Sequence, residues 1–210
     1  MVPWLSLIVA GVALAVSISN LWLTQFRQGT VKMTRPSQIY LGPDGGVKGA
    51  QKVFLHTLLY STTNLGNHVE DLYVEVLHSQ SSRVFPIWVH GEGTKLKRGS
   101  GLYVNRTGVS VAHHFLTSDD DHSFVPNAGD YRINVIAKLA GRQSTQLLHS
   151  TSVHISADEA NKLKSQKVGI YFDWGPKSQS YVKKIDDSKT NSEPRLVITQ
   201  AGKEFPLDMN

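Results

Sequence analysis

The sequence predicts a mainly β protein, an antiparallel β-sandwich preceded by one transmembrane α-helix. Three observations carry this. Trp4 to Leu23 runs twenty residues without a charge. Downstream, short segments alternate apolar and polar residues with the period of a half-buried strand. Gly, Asn, Asp and Pro clusters separate these segments, and no long amphipathic helix intervenes, which favours an antiparallel sheet.

Residues 1–26 form the expected anchor. At about 1.5 Å per residue the uncharged run spans about 30 Å, the hydrocarbon thickness of a bilayer. Trp4 and Trp22 lie near its two ends, where indole rings favour the headgroup interface. A cleaved signal peptide is the rival reading. Ala13-Leu-Ala15 offers a small-x-small site, but no basic residue precedes the apolar run, which continues well past Ala15. Arg27, Lys32 and Arg35 follow the helix closely, so the positive-inside bias puts the N-terminus outside and the domain in the cytoplasm. Gly11 and Ala15 lie four apart on one helical face. They either permit close pairing, and so self-association, or simply face lipid.

Residues 27–156 hold the predicted sandwich. Strands are expected at Val53–Ser61, Val69–Leu77, Val84–His90, Val109–Thr117, Tyr131–Leu139 and Thr145–Ile155. The clearest sets Tyr131, Ile133, Val135, Ala137 and Leu139 against Arg132, Asn134 and Lys138, one apolar face and one wet face. Turn signals stand at Pro43-Asp44-Gly45-Gly46, Asn64-Leu65-Gly66-Asn67, Gly91-Glu92-Gly93, Ser118 to Asp121, and Gly141. Val84–His90 is apolar on both faces, with Trp88 out of phase with Phe85, Ile87 and Val89, so its core face is undefined.

Asn127-Ala-Gly129-Asp-Tyr131-Arg-Ile133 resembles the D-x-G-x-Y-x-C stretch of immunoglobulin domains. There a tyrosine at the corner before strand F returns its hydroxyl to upstream backbone. Asn127 stands where Asp is usual and Ile133 where the disulfide cysteine would be; the resemblance implies a disulfide-free, immunoglobulin-like sandwich. The chain contains no cysteine, which excludes thiol catalysis and thiolate zinc sites. More broadly, the anchor running into Phe26-Arg27, and Asn67-His-Val-Glu-Asp-Leu-Tyr-Val-Glu-Val76 entering a strand after a glycine turn, resemble a group of uncharacterised prokaryotic proteins. Those are single-pass, membrane-anchored chains with an immunoglobulin-like β domain. The resemblance covers about the first two-thirds of the chain and implies fold, not site residues.

Residues 157–182 read as a short helix and an aromatic segment packing on the sandwich. Ser156-Ala-Asp-Glu159 is a capping box, in which the serine oxygen accepts an amide and the glutamate reaches back. From about Lys183 to 210 polar residues dominate, apart from Leu196 to Thr199, and a flexible tail is expected.

Composition and motifs argue against most chemistries. The formal charge is +5, but Lys and Arg are scattered among acids without interleaved aromatics, so no nucleic-acid partner is expected. His113 and His114 would point to opposite faces of a strand, and His56, His78, His90, His149 and His154 lack ligand spacing, so no metal or other cofactor is expected. Asp119-Asp120-Asp121-His122 lacks the fixed ligand positions of a calcium loop and reads as a solvated turn. Gly99-Ser-Gly101, after Lys95, Lys97 and Arg98, fits neither a nucleophile elbow nor a phosphate loop, and reads as a bend or bulge. Asn105-Arg-Thr107 fits the glycosylation tripeptide, which a cytoplasmic domain would never expose to the machinery. Tyr171, Phe172, Trp174 and Tyr181 either glue the C-terminal segment to the sandwich, the favoured reading, or bind a partner or a sugar. The sequence therefore favours a non-enzymatic, membrane-tethered interaction or scaffolding module with a protein partner. A carbohydrate- or envelope-binding domain on the outer side is the alternative.

Overall fold

The computed structural model describes residues 3–26, 29–44, 50–92, 95–118 and 124–186. Arg27, Gly45, Gly46, Gly93, the Asp119–His122 turn and the tail beyond Asp186 lie outside them. Helix α1 (Pro3–Leu21) continues as a π-helical turn at Trp22–Phe26. One stretch, Trp4–Thr24, is long and apolar enough to cross a membrane, and none of it is buried against the domain. Three of its hydroxyls are satisfied internally: those of Ser17, Ser19 and Thr24 donate to carbonyls one turn back, at 2.8, 2.7 and 2.7 Å. A hydroxyl bonded in this way carries little penalty in an apolar surrounding. Trp4 and Trp22 are exposed, and no atom approaches a Cβ built on Gly11.

Thirteen strands follow among the described residues. They are β1 (Val31–Met33), β2 (Gln38–Pro43), β3 (Gln51–Ser61), β4 (Asn67–His78), β5 (Ser81–Phe85), β6 (Ile87–Glu92), β7 (Lys95–Arg98), β8 (Leu102–Val104), β9 (Val109–Leu116), β10 (Gly129–Leu139), β11 (Thr145–Ile155), β12 (Ile170–Gly175) and β13 (Ser180–Ile185). A second helix, α2 (Ala157–Gln166), joins β11 to β12. One antiparallel sheet has the order β13-β12-β2-β3-β9-β6-β7, with β1 also on β3; the other has β11-β10-β4-β5, with β8 on β4. Taking β2, β3, β9 and β6 as strands A, B, E and D, and β4, β5, β10 and β11 as C, C′, F and G, gives the two sheets of an immunoglobulin-like sandwich.

The core lies between the sheets because each strand's apolar set faces inward. Val53, Leu55 and Leu59 of β3 and Phe115 of β9 meet Val74 and Val76 of β4 and Ile133 and Val135 of β10. Each such burial contributes about 1.5–3 kcal/mol. At the corner before β10, the Tyr131 hydroxyl donates to the Asn127 carbonyl at 2.9 Å and accepts from the Asn127 amide at 2.7 Å. Gly129, at φ 134°, sits where an added Cβ would come within 2.6 Å of the His78 ring. At α2 the Ser156 Oγ accepts the Glu159 amide at 3.3 Å, and Glu159 Oε2 accepts the Ser156 amide at 2.7 Å.

Two expectations need correction. Val84–His90 is not one strand. Pro86 has no amide to donate and breaks it, so β5 belongs to one sheet and β6 to the other. Phe85 and Trp88 both reach the core, at 0 and 2% exposure, from opposite sides. That explains the phase slip around Trp88, which here sits on strand D rather than C. Lys183, Lys184 and Ile185, expected to open the tail, are paired in β13 opposite Phe172, Tyr171 and Ile170.

Candidate functional site

The four aromatic residues singled out in the C-terminal segment divide between two faces. Along β12, Ile170 and Phe172 point into the core and are buried, while Tyr171 points outward. Tyr171 packs on Tyr40 of the neighbouring strand, ring centroids 4.7 Å apart. Burial, with Asp186, Tyr171 and Asp44 nearby, pushes the Tyr40 hydroxyl well above its ordinary range, and it donates to the Pro43 carbonyl at 3.0 Å.

Trp174 and Tyr181 do meet. The β12–β13 hairpin sets them opposite one another, and their rings contact edge to face at 5.1 Å. The Trp174 amide donates to the Ser37 carbonyl at 2.9 Å, and the Tyr181 hydroxyl donates to the Pro36 carbonyl at 2.9 Å. Arg35 lies over the Trp174 ring, 3.9 Å from its centroid, a cation–π contact. Burial raises the Tyr181 hydroxyl above its ordinary value, partly offset by Thr151 and Arg35.

These rings form one wall of a cleft of about 320 Å³ between the two sheets. Thr151 and Val153 of β11 line the opposite wall, and Ser180 and Lys183 of β13 its rim. Among the described residues β11 and β13 are terminal strands of their sheets, so each presents one row of backbone donors and acceptors outside the ladders. Lys183 is fixed by an ion pair to Glu159 at 2.8 Å, which ties β13 to the capping box of α2. Burial opposes the Glu159 charge, but hydrogen bonds from Lys183 and Ser156 outweigh it and hold the carboxyl below its ordinary value. Burial first, and then Arg35, lower the pKa of His149 on β11 below its ordinary value, and its Nε2 has no hydrogen-bond partner among the described residues.

One further imidazole borders the cleft. His154, at its rim, is held through Nδ1 by Asp130 at 2.7 Å, but both side chains are largely exposed. Among the described residues no hydroxyl is hydrogen-bonded to the second nitrogen of His154, so no nucleophile completes the pair. Among the described residues no three His, Asp or Glu side chains converge on a metal-sized site. The Asn105 side chain is engaged in its own turn, accepting from Thr107 Oγ1 at 2.7 Å and the Gly108 amide at 2.9 Å.

Arg35, Pro36, Thr151 and Lys183 were not expected at this site. Their sequence signals are those of ordinary loop and strand residues, and only the pairing of distant segments gives them a role. Trp174→Ala is expected to lower stability by about 2 kcal/mol, less than for a fully buried tryptophan because the residue is only partly buried. Urea unfolding monitored by tryptophan fluorescence checks this; an unchanged midpoint would show that the ring holds nothing together. No protein-family model matches the chain, and no curated protein matches it.

Proposed function

We propose that this chain is a single-pass membrane protein whose cytoplasmic, immunoglobulin-like domain is a non-enzymatic interaction module, with the cleft between β11 and β13 as its binding surface. The observation that carries this is the pairing of two open strand edges around one aromatic-walled cleft. An extended segment of a partner protein can hydrogen-bond to such an edge and place alternate side chains in the cleft. Arg35 covers one face of Trp174, which counts against stacking on a sugar ring. The uncharged helix and the basic residues behind it support a tether with the domain inside, as does the resemblance to prokaryotic single-pass proteins. Tethering confines the module near other membrane-bound partners and raises its effective concentration for them.

Site-specific photocrosslinking in cells tests the binding surface. A photoreactive residue at Ser180, on the rim, is expected to give a discrete protein adduct, while one at the exposed Lys164 of α2 gives none. A glycan adduct at Ser180, or equal protein adducts at both positions, would refute the cleft assignment.

A further inference from the structure

The chain enters the domain at one pole of the sandwich, and that pole is built unlike the other. Three loops surround the entry: residues 62–66 between β3 and β4, 105–108 between β8 and β9, and 140–144 between β10 and β11. The entering backbone is fastened to them. Thr30 exchanges hydrogen bonds with Thr62, its amide to the Thr62 hydroxyl and its carbonyl from the Thr62 amide, both at 2.9 Å. Arg142 donates to the Gly29 carbonyl, and Gln146 Nε2 donates to the Val31 carbonyl at 2.9 Å. Gly29 packs so closely on Thr63 that an added Cβ would lie 2.3 Å from its hydroxyl.

This fastening leaves little slack. Only Arg27 and Gln28 separate Phe26, the end of the helical segment, from the pinned Gly29. Three Cα–Cα steps reach at most about 11 Å, no more than about twice the roughly 5–8 Å headgroup layer on one side of a bilayer. If α1 lies in the membrane, the domain cannot stand away from it, and this pole must face the lipid.

Its chemistry suits that position. The three loops carry Arg106 and Arg142 and contain no Asp or Glu. Arg106 donates to the neutral Asn64 Oδ1 at 3.0 Å, and neither arginine is ion-paired among the described residues. Leu65 and Tyr103 stand 51 and 47% exposed beside them. Their placement is braced: the Tyr103 hydroxyl donates to the Leu65 carbonyl at 3.1 Å, and the ring packs on Gly66, whose φ of 69° suits glycine. The opposite pole instead carries Asp44, Asp130 and Asp158.

We propose that this entry pole seats on the anionic headgroups of the bilayer that holds α1. Arg106 and Arg142 meet lipid phosphates, Leu65 dips toward the acyl boundary, and Tyr103 lies at the interface, where aromatic rings partition. The acidic pole and α2 are thereby turned away from the membrane, and the β11–β13 cleft opens to its side. This rests on the membrane-anchor reading of α1 given above.

The absence of native cysteine makes single-site labelling clean. The full chain, labelled with a fluorophore at Leu65→Cys or at the exposed Lys162→Cys of α2, is reconstituted into nanodiscs. The discs contain phosphatidylcholine alone or with phosphatidylglycerol, plus a headgroup nitroxide quencher. Strong quenching at 65 and little at 162 is expected in the anionic discs, weaker at 65 in neutral ones. Arg106→Gln should reduce the seated-to-free ratio about fivefold, the worth of one basic residue at an anionic surface. Equal quenching at 65 and 162, or quenching at 65 indifferent to phosphatidylglycerol and to Arg106→Gln, would overturn the proposal while leaving the anchor intact. Failure of the chain to co-purify with the discs would overturn both.

Discussion

Trp88→Ala is expected to cost about 3–5 kcal/mol, the range for deleting a fully buried aromatic ring, which rivals the whole stability of a marginal domain. Trp88 is 2% exposed and lies between the sheets, packed so tightly on Gly99 that an added Cβ there would come within 2.1 Å of the indole. Its Nε1 donates to His113 Nδ1 at 3.1 Å in the buried core. Truncation therefore opens a cavity and also leaves a buried imidazole nitrogen without a partner, two losses that add. Trp88→Phe keeps most of the apolar contact and is expected to cost substantially less. Denaturant midpoints of the two variants test this; similar, small losses for both would show that Trp88 does not anchor the core.

Acid should unfold the domain earlier than its surface carboxylates alone would dictate. His113 is 2% exposed, and burial, with His90, His114 and His56 nearby, lowers its pKa to about 3. Unfolded, it returns to about 6.5. Between those values the unfolded chain holds a proton that the folded chain refuses. Stability contributed by the neutral imidazole is thus complete above about pH 6.5 and is lost as pH falls toward 3. The slope is up to about 1.4 kcal/mol per pH unit for one such group. Burial lowers His90, His114 and His149 too, Lys97 and Lys52 adding to the first two and Arg35 to the last, so their contributions share the sign. Glu159, held below its ordinary value, loses its contribution at still lower pH, again in the same direction. Urea midpoints are expected to fall steadily from pH 7 to pH 4.5, and less steeply in His113→Phe. A midpoint constant over that range would contradict the buried, neutral assignment.

The fold was legible where one physical signal dominated. Tyr131–Leu139 alternates because β10 has one face in the core and one toward water, and Thr145–Ile155 matches β11 residue for residue. The tyrosine-corner stretch was readable because Tyr131 bonds backbone only four residues upstream. Val84–His90 misled because Pro86 switches the chain between sheets, so apolar residues on both sides of it face one core from opposite directions. β1 is only three residues long and pairs with the far end of β3, while β2, which pairs with the strand that follows it, is buried on both faces and so shows no alternation to find. The cleft was half legible. Trp174 and Tyr181 stood out as aromatics, but their meeting depends on a hairpin register. Arg35 reaches Trp174 from far upstream in the chain, and Tyr171 belongs to the outer face with Tyr40.

The proposed anchorage by α1 places the domain at the inner membrane surface. Protease protection of the full chain in sealed spheroplasts tests this most directly, read with an antibody against the domain. The expected result is an intact, membrane-pelleted chain before permeabilisation and digestion of the domain after it. Digestion of the domain in the sealed state would contradict it.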